Sequence, residues 1–237
     1  MINYVKILLI LFLLISFPNF GNTSTSSSYL IANAAISLFD YETAIRYFSN
    51  HVDVDSNIIQ LRKKIVSFII SNKIEEANSA AKKLVKLDDS SEEAWLVLLT
   101  FAKLNNNINP FKEFEKYTNN YEFKLINNVF NINNPLRQNN EDIADSFLNL
   151  VQINSFNTYY KESIDYHLFY LSLALNFKPK FNEVFFIQAQ IYQNLKYYYK
   201  AEQIYKKIQP QHVLYIEAQK NIVINNKNVG KYFEAEV

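Results

Sequence analysis

Asp40-Tyr41-Glu42-Thr43-Ala44 and Lys73-Ile74-Glu75-Glu76-Ala77 share a pattern: a polar turn, an acidic residue, then alanine. Their alanines stand 33 residues apart. Lys200-Ala201 and Phe233-Glu234-Ala235 form a second pair, 34 residues apart. A period of this length marks a stacked repeat whose unit is a pair of short helices. Local spacing agrees with helices. Phe147, Leu150 and Val151 fall at i, i+3 and i+4, with Asn154 at i+7, on one helical face.

The rest of the composition fits helices and excludes several chemistries. The chain has 237 residues and only two glycines, Gly21 and Gly230. Phosphate-cradling loops and the dinucleotide fingerprint need closely spaced glycines, so both are excluded, as is the G-x-S-x-G elbow. Cysteine is absent, which removes disulfides, thiolate nucleophiles and cysteine-ligated metals. The three histidines, His51, His167 and His212, stand too far apart for a local metal motif. No catalytic residue, cofactor or metal is expected. Hydrophobic residues make up 49% and aromatics 16%, enough to fill a core. Five prolines leave few hard breakers, so helices joined by Asn, Ser and Asp turns are expected. The formal net charge is +1, which leaves no electrostatic footprint for nucleic acid.

The first residues look like an address. Lys6 precedes an apolar run from Ile7 to Phe17 that Pro18 ends. An apolar run of eleven residues suits a signal-peptide core and is short for a membrane span. Residues 1–24 are therefore expected to be a signal peptide and the start of a polar linker. The expected location is the periplasm of a Gram-negative bacterium. The alternative is an inner-membrane anchor, if that segment stays uncleaved.

The sequence resembles the tetratricopeptide repeat (TPR) family. Trp95, Leu98, Leu99 and Ala102 match its first-helix pattern W-x2-L-G-x2-Y, with Leu99 in place of glycine. Ala174-Leu175-Asn176-Phe177-Lys178-Pro179 matches the end of a second helix. Ala44 with Phe48, and Ala201 with Tyr205, match A-x3-F. Ala32 and Ala189 hold the small-residue position of first helices. Ankyrin repeats would need T-P-L-H and glycine turns, which are missing. The resemblance implies an all-α, TPR-like α-solenoid, a right-handed superhelix of helix-turn-helix units. About five units plus an incomplete sixth are expected.

Three units are placed in 25–118, with helices near 26–38 and 41–53, 57–70 and 73–87, 92–105 and 110–118. Residues 119–140 read as an Asn-rich irregular connection. Units four to six fill 141–237, with helices near 141–156 and 161–177, then 181–194 and 197–208. The sixth begins near 212 and ends inside its second helix, which predicts a truncated product or a partner covering that end. Asp40 and Asn72 are expected N-caps, and Ser90-x-x-Glu93 a capping box before Trp95. Two departures stand out: Phe111 where alanine is preferred, and His167 at the small-residue position of unit four.

Other clusters read as structural. Asp53-x-Asp55-x-Asn57 resembles the start of a calcium loop, but Ile58 and Lys64 replace the glycine and glutamate it needs. Carboxylate pairs such as Glu75-Glu76 and Glu92-Glu93 sit at helix starts, where negative charge is favourable in itself, and read as solvated capping. The aromatics Phe185, Phe186, Tyr192, Tyr197–Tyr199 and Tyr205 read as core, with Phe186 kept as a groove anchor.

In the family, the concave face is lined by first helices and holds a peptide or protein segment. Carried onto this sequence, the groove positions are Tyr29, Asn33, Arg62, Val66, Thr100, Lys103, Phe186, Gln190 and Asn194. The resemblance therefore implies an exported non-enzymatic scaffold with a protein or peptide partner. The alternatives are a membrane-tethered assembly factor of the cell envelope and, more distantly, an enzyme built on an α-superhelix. The stretch around 165–215 is also similar to signal-bearing TPR proteins of alphaproteobacteria.

Overall fold

The computed structural model describes residues 25–49, 57–154 and 161–230. The expected signal peptide, His51, Asp53, Asp55 and the expected last helix around Ala235 lie outside the described residues. The chain divides into two units, Met1–Asp53 and Val54–Val237.

In the first unit, α1 (Thr25–Ser37) and α2 (Tyr41–Ser49) pack together as a helical hairpin. Ala32 and Ala44 are fully buried between larger neighbours such as Ile45 and Phe48. Small side chains at these points let the two backbones approach. The start of α2 is capped as expected, since Asp40 Oδ1 accepts from the Thr43 amide at 3.1 Å.

The second unit holds α3 (Ile58–Ile70), α4 (Ile74–Leu87), α5 (Glu92–Leu104), α6 (Asn109–Glu115) and α7 (Lys124–Val129). It continues with α8 (Asn140–Asn154), α9 (Lys161–Phe177), α10 (Asn182–Asn194), α11 (Tyr198–Tyr205) and α12 (Tyr215–Asn228). No strand occurs among the described residues. The pairs α3/α4, α8/α9 and α10/α11 form hairpins, while α4 stacks on α5 and α11 on α12. Among the described residues, helices stand where the sequence places them, with ends shifted by a few residues.

One backbone device makes the repeated turn. Phe39, Asn72, Asn106 and Lys196 have φ of 53°, 56°, 51° and 65°. Each follows a first helix, and the next amide reaches back to close a six-residue loop. These bonds run from Asp40 to Ala35, Lys73 to Phe68, Asn107 to Ala102 and Tyr197 to Tyr192, at 2.8–2.9 Å. This is the Schellman helix ending, which favours glycine in the left-handed position. Gly230 is the glycine of positive φ among the described residues, at 77° after α12. Asn72, expected as an N-cap, is thus a helix terminator instead; the N-cap of α4 is Lys73, whose side chain makes no capping bond. A left-handed conformation costs a residue with a Cβ roughly 1 kcal/mol. Lys196→Gly is therefore expected to stabilise the protein by about 1 kcal/mol, read as a rise of about 2–4 °C in the thermal midpoint. No change, or a fall, would show that the Lys196 turn carries no strain.

The cap before Trp95 is one residue later than expected. Ser91, not Ser90, accepts from the Ala94 amide at 3.5 Å and donates to Glu93 Oε2 at 3.0 Å. The Ser90 hydroxyl turns away to Asp88 Oδ1 at 2.6 Å. Trp95 is buried and its indole N–H donates to the Asp89 carbonyl at 2.8 Å.

The segment 119–140, read as an irregular connection, is a packed joint. It contains α7 and buries Phe123, Ile126, Val129 and Phe130. Aromatic rings run through it. Trp95 meets Phe114 at 5.2 Å and Phe114 meets Phe123 at 4.7 Å. Phe111 meets Phe130 at 5.8 Å, and Phe130 meets Phe147 at 6.2 Å and Phe177 at 6.5 Å. The bulk of Phe111 is thus the partner of Phe130. Gln138 closes the loop, donating to the Val129 carbonyl and accepting from the Asn131 amide, both at 2.8 Å. Asn127 and Asn128 lie on exposed positions of α7, and Asn119, Asn120, Asn133 and Asn134 lie in the turns and bends around it.

This joint redirects the chain. Helix α9 packs on α8, its hairpin partner, and also on α3 and α5. Leu168, Phe169, Leu171, Leu173 and Ala174 are fully buried, as a helix covered from several sides requires.

Candidate functional site

The expected groove falls into three parts with different fates. In the first unit, Tyr29 is 37% exposed. Asn33 is half-buried and its Nδ2 donates to the Tyr29 carbonyl at 2.8 Å. Leu30, at 65% exposure, lies beside them.

On α3 and α5 the expected groove is not an open surface. Val66 is 7% exposed, Thr100 0% and Lys103 6%. The reason is tertiary: α9 lies against α3 and α5, where an open groove would face solvent. Lys103 is used inside the joint. Its Nζ donates to the carbonyls of Leu136 and Gln138 at 2.9 and 2.7 Å, and burial lowers its pKa. Arg62 is held by Asp88 at 2.7 Å and approaches Glu93 at 3.9 Å. Glu93 also accepts from the Tyr166 hydroxyl of α9 at 3.0 Å. Arg62 therefore belongs to a network that joins α3, the α4 terminus, α5 and α9.

The Glu92–Glu93 pair, read as solvated capping, is half-buried. Glu92 accepts from the Leu125 amide at 3.1 Å and so holds the start of α7. Burial raises its pKa, and the neighbouring carboxylates of Glu93 and Glu122 add to the rise, against the lowering by the Leu125 amide. Both glutamates are spent on holding helices together. Among the described residues, no group of three or more His, Asp or Glu side chains is placed to hold a metal.

On α10 the expected positions do face outward. Gln190 and Asn194 are exposed, and Phe186 is half-buried, edge-on to the Tyr205 ring at 5.6 Å. Spaced at i, i+4 and i+8, they share one face. Tyr205, beneath this face, is buried. Its phenol donates to Gln193 Oε1 at 3.0 Å, and burial, with help from Glu217, pushes its pKa up to about 12. The platform under Phe186 stays neutral and apolar. The far end of the hairpin is tied down by Asn182, whose Oδ1 accepts from the Gln209 amide at 2.9 Å. His212 Nε2 adds a contact to Glu183 at 3.2 Å.

No family model matches the chain, and no curated relative is found for it. Several solved structures are similar in fold. A MamA protein structure aligns at 15% identity over 89% of this chain and 85% of that one, with a TM-score of 0.30. PilF of Pseudomonas aeruginosa aligns at 11% identity over 90% and 87%, TM-score 0.33. The TPR domain of P58(IPK) aligns at 15% identity over 90% and 58%, TM-score 0.33. These are weak likenesses, and no residue role is taken from them. The repeated turn, the buried alanines and the helical pairs of this chain decide the architecture. It is an all-α protein of TPR-like helical hairpins.

Within that architecture His167 is the odd residue. Its equivalents Ala44, Ala77 and Ala201 are fully buried, and His167 is 8% exposed. Its Nε2 has no hydrogen-bond partner among the described residues. Burial lowers its pKa, so the folded protein holds it neutral while the unfolded chain accepts a proton more readily. The protein is then stable above the unfolded pKa of about 6.5 and loses stability as pH falls below it. The expected slope is no steeper than about 1.4 kcal/mol per pH unit. Urea unfolding between pH 7 and 5 should show the loss in the wild type and a flatter profile in His167→Leu. Parallel profiles would mean that His167 is protonated in place.

Proposed function

We propose that this chain is a non-enzymatic scaffold that holds a segment of another protein on the open face of α10. The observation that carries this reading is the row Phe186, Gln190 and Asn194: one aromatic on a buried tyrosine, then two exposed amides in line. An aromatic supplies apolar contact area, and amides can pair with a peptide main chain in both directions. Helical-hairpin arrays offer such faces at fixed spacing. Tyr29 and Asn33 form a similar pair in the first unit. Lys6 and the apolar run Ile7–Phe17 support an exported, periplasmic protein. A membrane-tethered assembly factor is the second reading, and the same apolar run favours it if left uncut; N-terminal sequencing that finds Met1 intact would select it.

The test is a pull-down from periplasmic extract with the chain beginning near residue 25. A partner captured by the wild type and lost by Phe186→Ala/Gln190→Ala supports the reading, provided circular dichroism is unchanged. A partner retained by that variant rules out the α10 face. Arg62→Ala and Lys103→Ala are unsuitable probes, since both side chains hold the fold.

A further inference from the structure

Two open hollows lie on the joint around α7, away from the α10 face, and Asn127 lines both. One, of about 460 Å3, is lined chiefly by amides: Asn127, Asn128, Asn131, Asn133 and Gln138. The other, of about 400 Å3, runs from Thr118 to Phe123 and includes Asn119, Asn120 and Tyr121. Both volumes fall in the range of small-ligand sites. The larger hollow has no charged lining residue, and the smaller has only Glu122, which meets Lys124 at 3.4 Å.

Asn127, Asn128 and Asn133 are exposed, and no hydrogen bond to another described residue engages their side chains. The loop that carries them is nonetheless held, by the Gln138 bonds to Val129 and Asn131 and by the buried Val129 and Phe130 beneath. An aromatic ring stands beside them. Tyr121 is 42% exposed, its hydroxyl donates to the Asp89 carboxylate, and its ring meets Phe123 edge-on at 5.9 Å. An uncharged, polyhydroxylated ligand suits this surface. A carboxamide offers an acceptor and a donor side by side, and two vicinal hydroxyls offer the complementary pair. A pyranose ring also has an apolar face of C–H groups, which packs on an aromatic ring. A phosphate or carboxylate finds no basic lining residue to pair with. An apolar side chain would strip water from the amides without replacing it.

We propose that this joint binds an uncharged oligosaccharide. One sugar ring rests on Tyr121, the next lies over the end of α7 among the amides of Asn128 and Asn133, and Asn127 contacts both. The site does not depend on the scaffold reading, and the α10 variant leaves it intact, so either can fail alone.

The test is a titration of the 15N-labelled chain with maltotriose, cellotriose and tri-N-acetylchitotriose, following the side-chain amide signals of Asn127, Asn128 and Asn133. At least one trisaccharide is expected to give saturable shifts in the millimolar range. The matching monosaccharide fills one hollow only and should bind at least about tenfold more weakly. Tyr121→Ala and Asn127→Ala/Asn128→Ala, read at Asn133, should each weaken binding at least about tenfold. These positions are exposed, so circular dichroism should be unchanged. No saturable shift with any of the three sugars overturns the proposal, as do shifts that survive both variants. Equal affinity for N-acetyl-trialanine amide also overturns it, since the surface would then hold a peptide chain as readily as a sugar.

Discussion

Val66→Asp is expected to cost about 3–5 kcal/mol and to lower the thermal midpoint by at least about 6 °C. Val66 sits at a position that in an open array would face a groove, where an added carboxylate would be welcome. Here it is 7% exposed, with α9 packed against its helix. Aspartate at this point must shed its water. Arg62, one turn away, is already engaged by Asp88 at 2.7 Å. The contrasting substitution is Gln190→Asp on the exposed α10 face, expected to stay within about 0.5 kcal/mol of the wild type. Urea unfolding of the two variants side by side decides the matter. If Val66→Asp proves as mild as Gln190→Asp, α9 does not seal α3, and the groove on α3 and α5 is open after all.

Phe130→Ala is expected to cost about 3–5 kcal/mol, the range for a buried phenylalanine. Phe130 is 3% exposed and meets Phe111, Phe147 and Phe177. It therefore links α6 to the α8/α9 hairpin. Removing the ring leaves a void among side chains that themselves hang on the helices it joins, so little collapse can repair it. Asn128→Ala, two residues away on an exposed turn of the same helix, should change stability by less than about 0.5 kcal/mol. A broadened transition or a reduced denaturant slope in Phe130→Ala would show the α8/α9 hairpin coming loose before α3–α5. A loss as small as that of Asn128→Ala would mean that 119–140 is the loose connection its composition suggests.

Much of the fold was legible because its signals are local. The 3.6-residue apolar spacing and Asp40 as a cap depend on residues within a turn or two, and the alanine period repeats one such local pattern every 33–34 residues. Even the clue to the joint was present: Phe123, Ile126, Val129 and Phe130 follow helical spacing inside the Asn-rich stretch. Asparagine content masked it, because abundant asparagine suggests loop wherever it gathers. Two local errors have local causes. Asparagine suits both an N-cap and a left-handed terminator, and Asn72 serves as the second. Ser90 and Ser91 are both good caps, and only backbone geometry chooses Ser91.

The candidate site was less legible. Gln190 and Asn194 are exposed and Phe186 is half-buried, whereas Val66, Thr100 and Lys103 are buried. Nothing near these three distinguishes them from groove residues. Their burial comes from a helix far later in the chain, Lys161–Phe177, and from a joint that turns it back.

The amino-acid sequence by itself determined most of the described helices and their pairing, α7 excepted, because those follow from contacts within one hairpin. Only the tertiary structure decided which faces remain open. Exposure depends on distant segments meeting, and the packing of α9 against α3 and α5 is written in no single repeat.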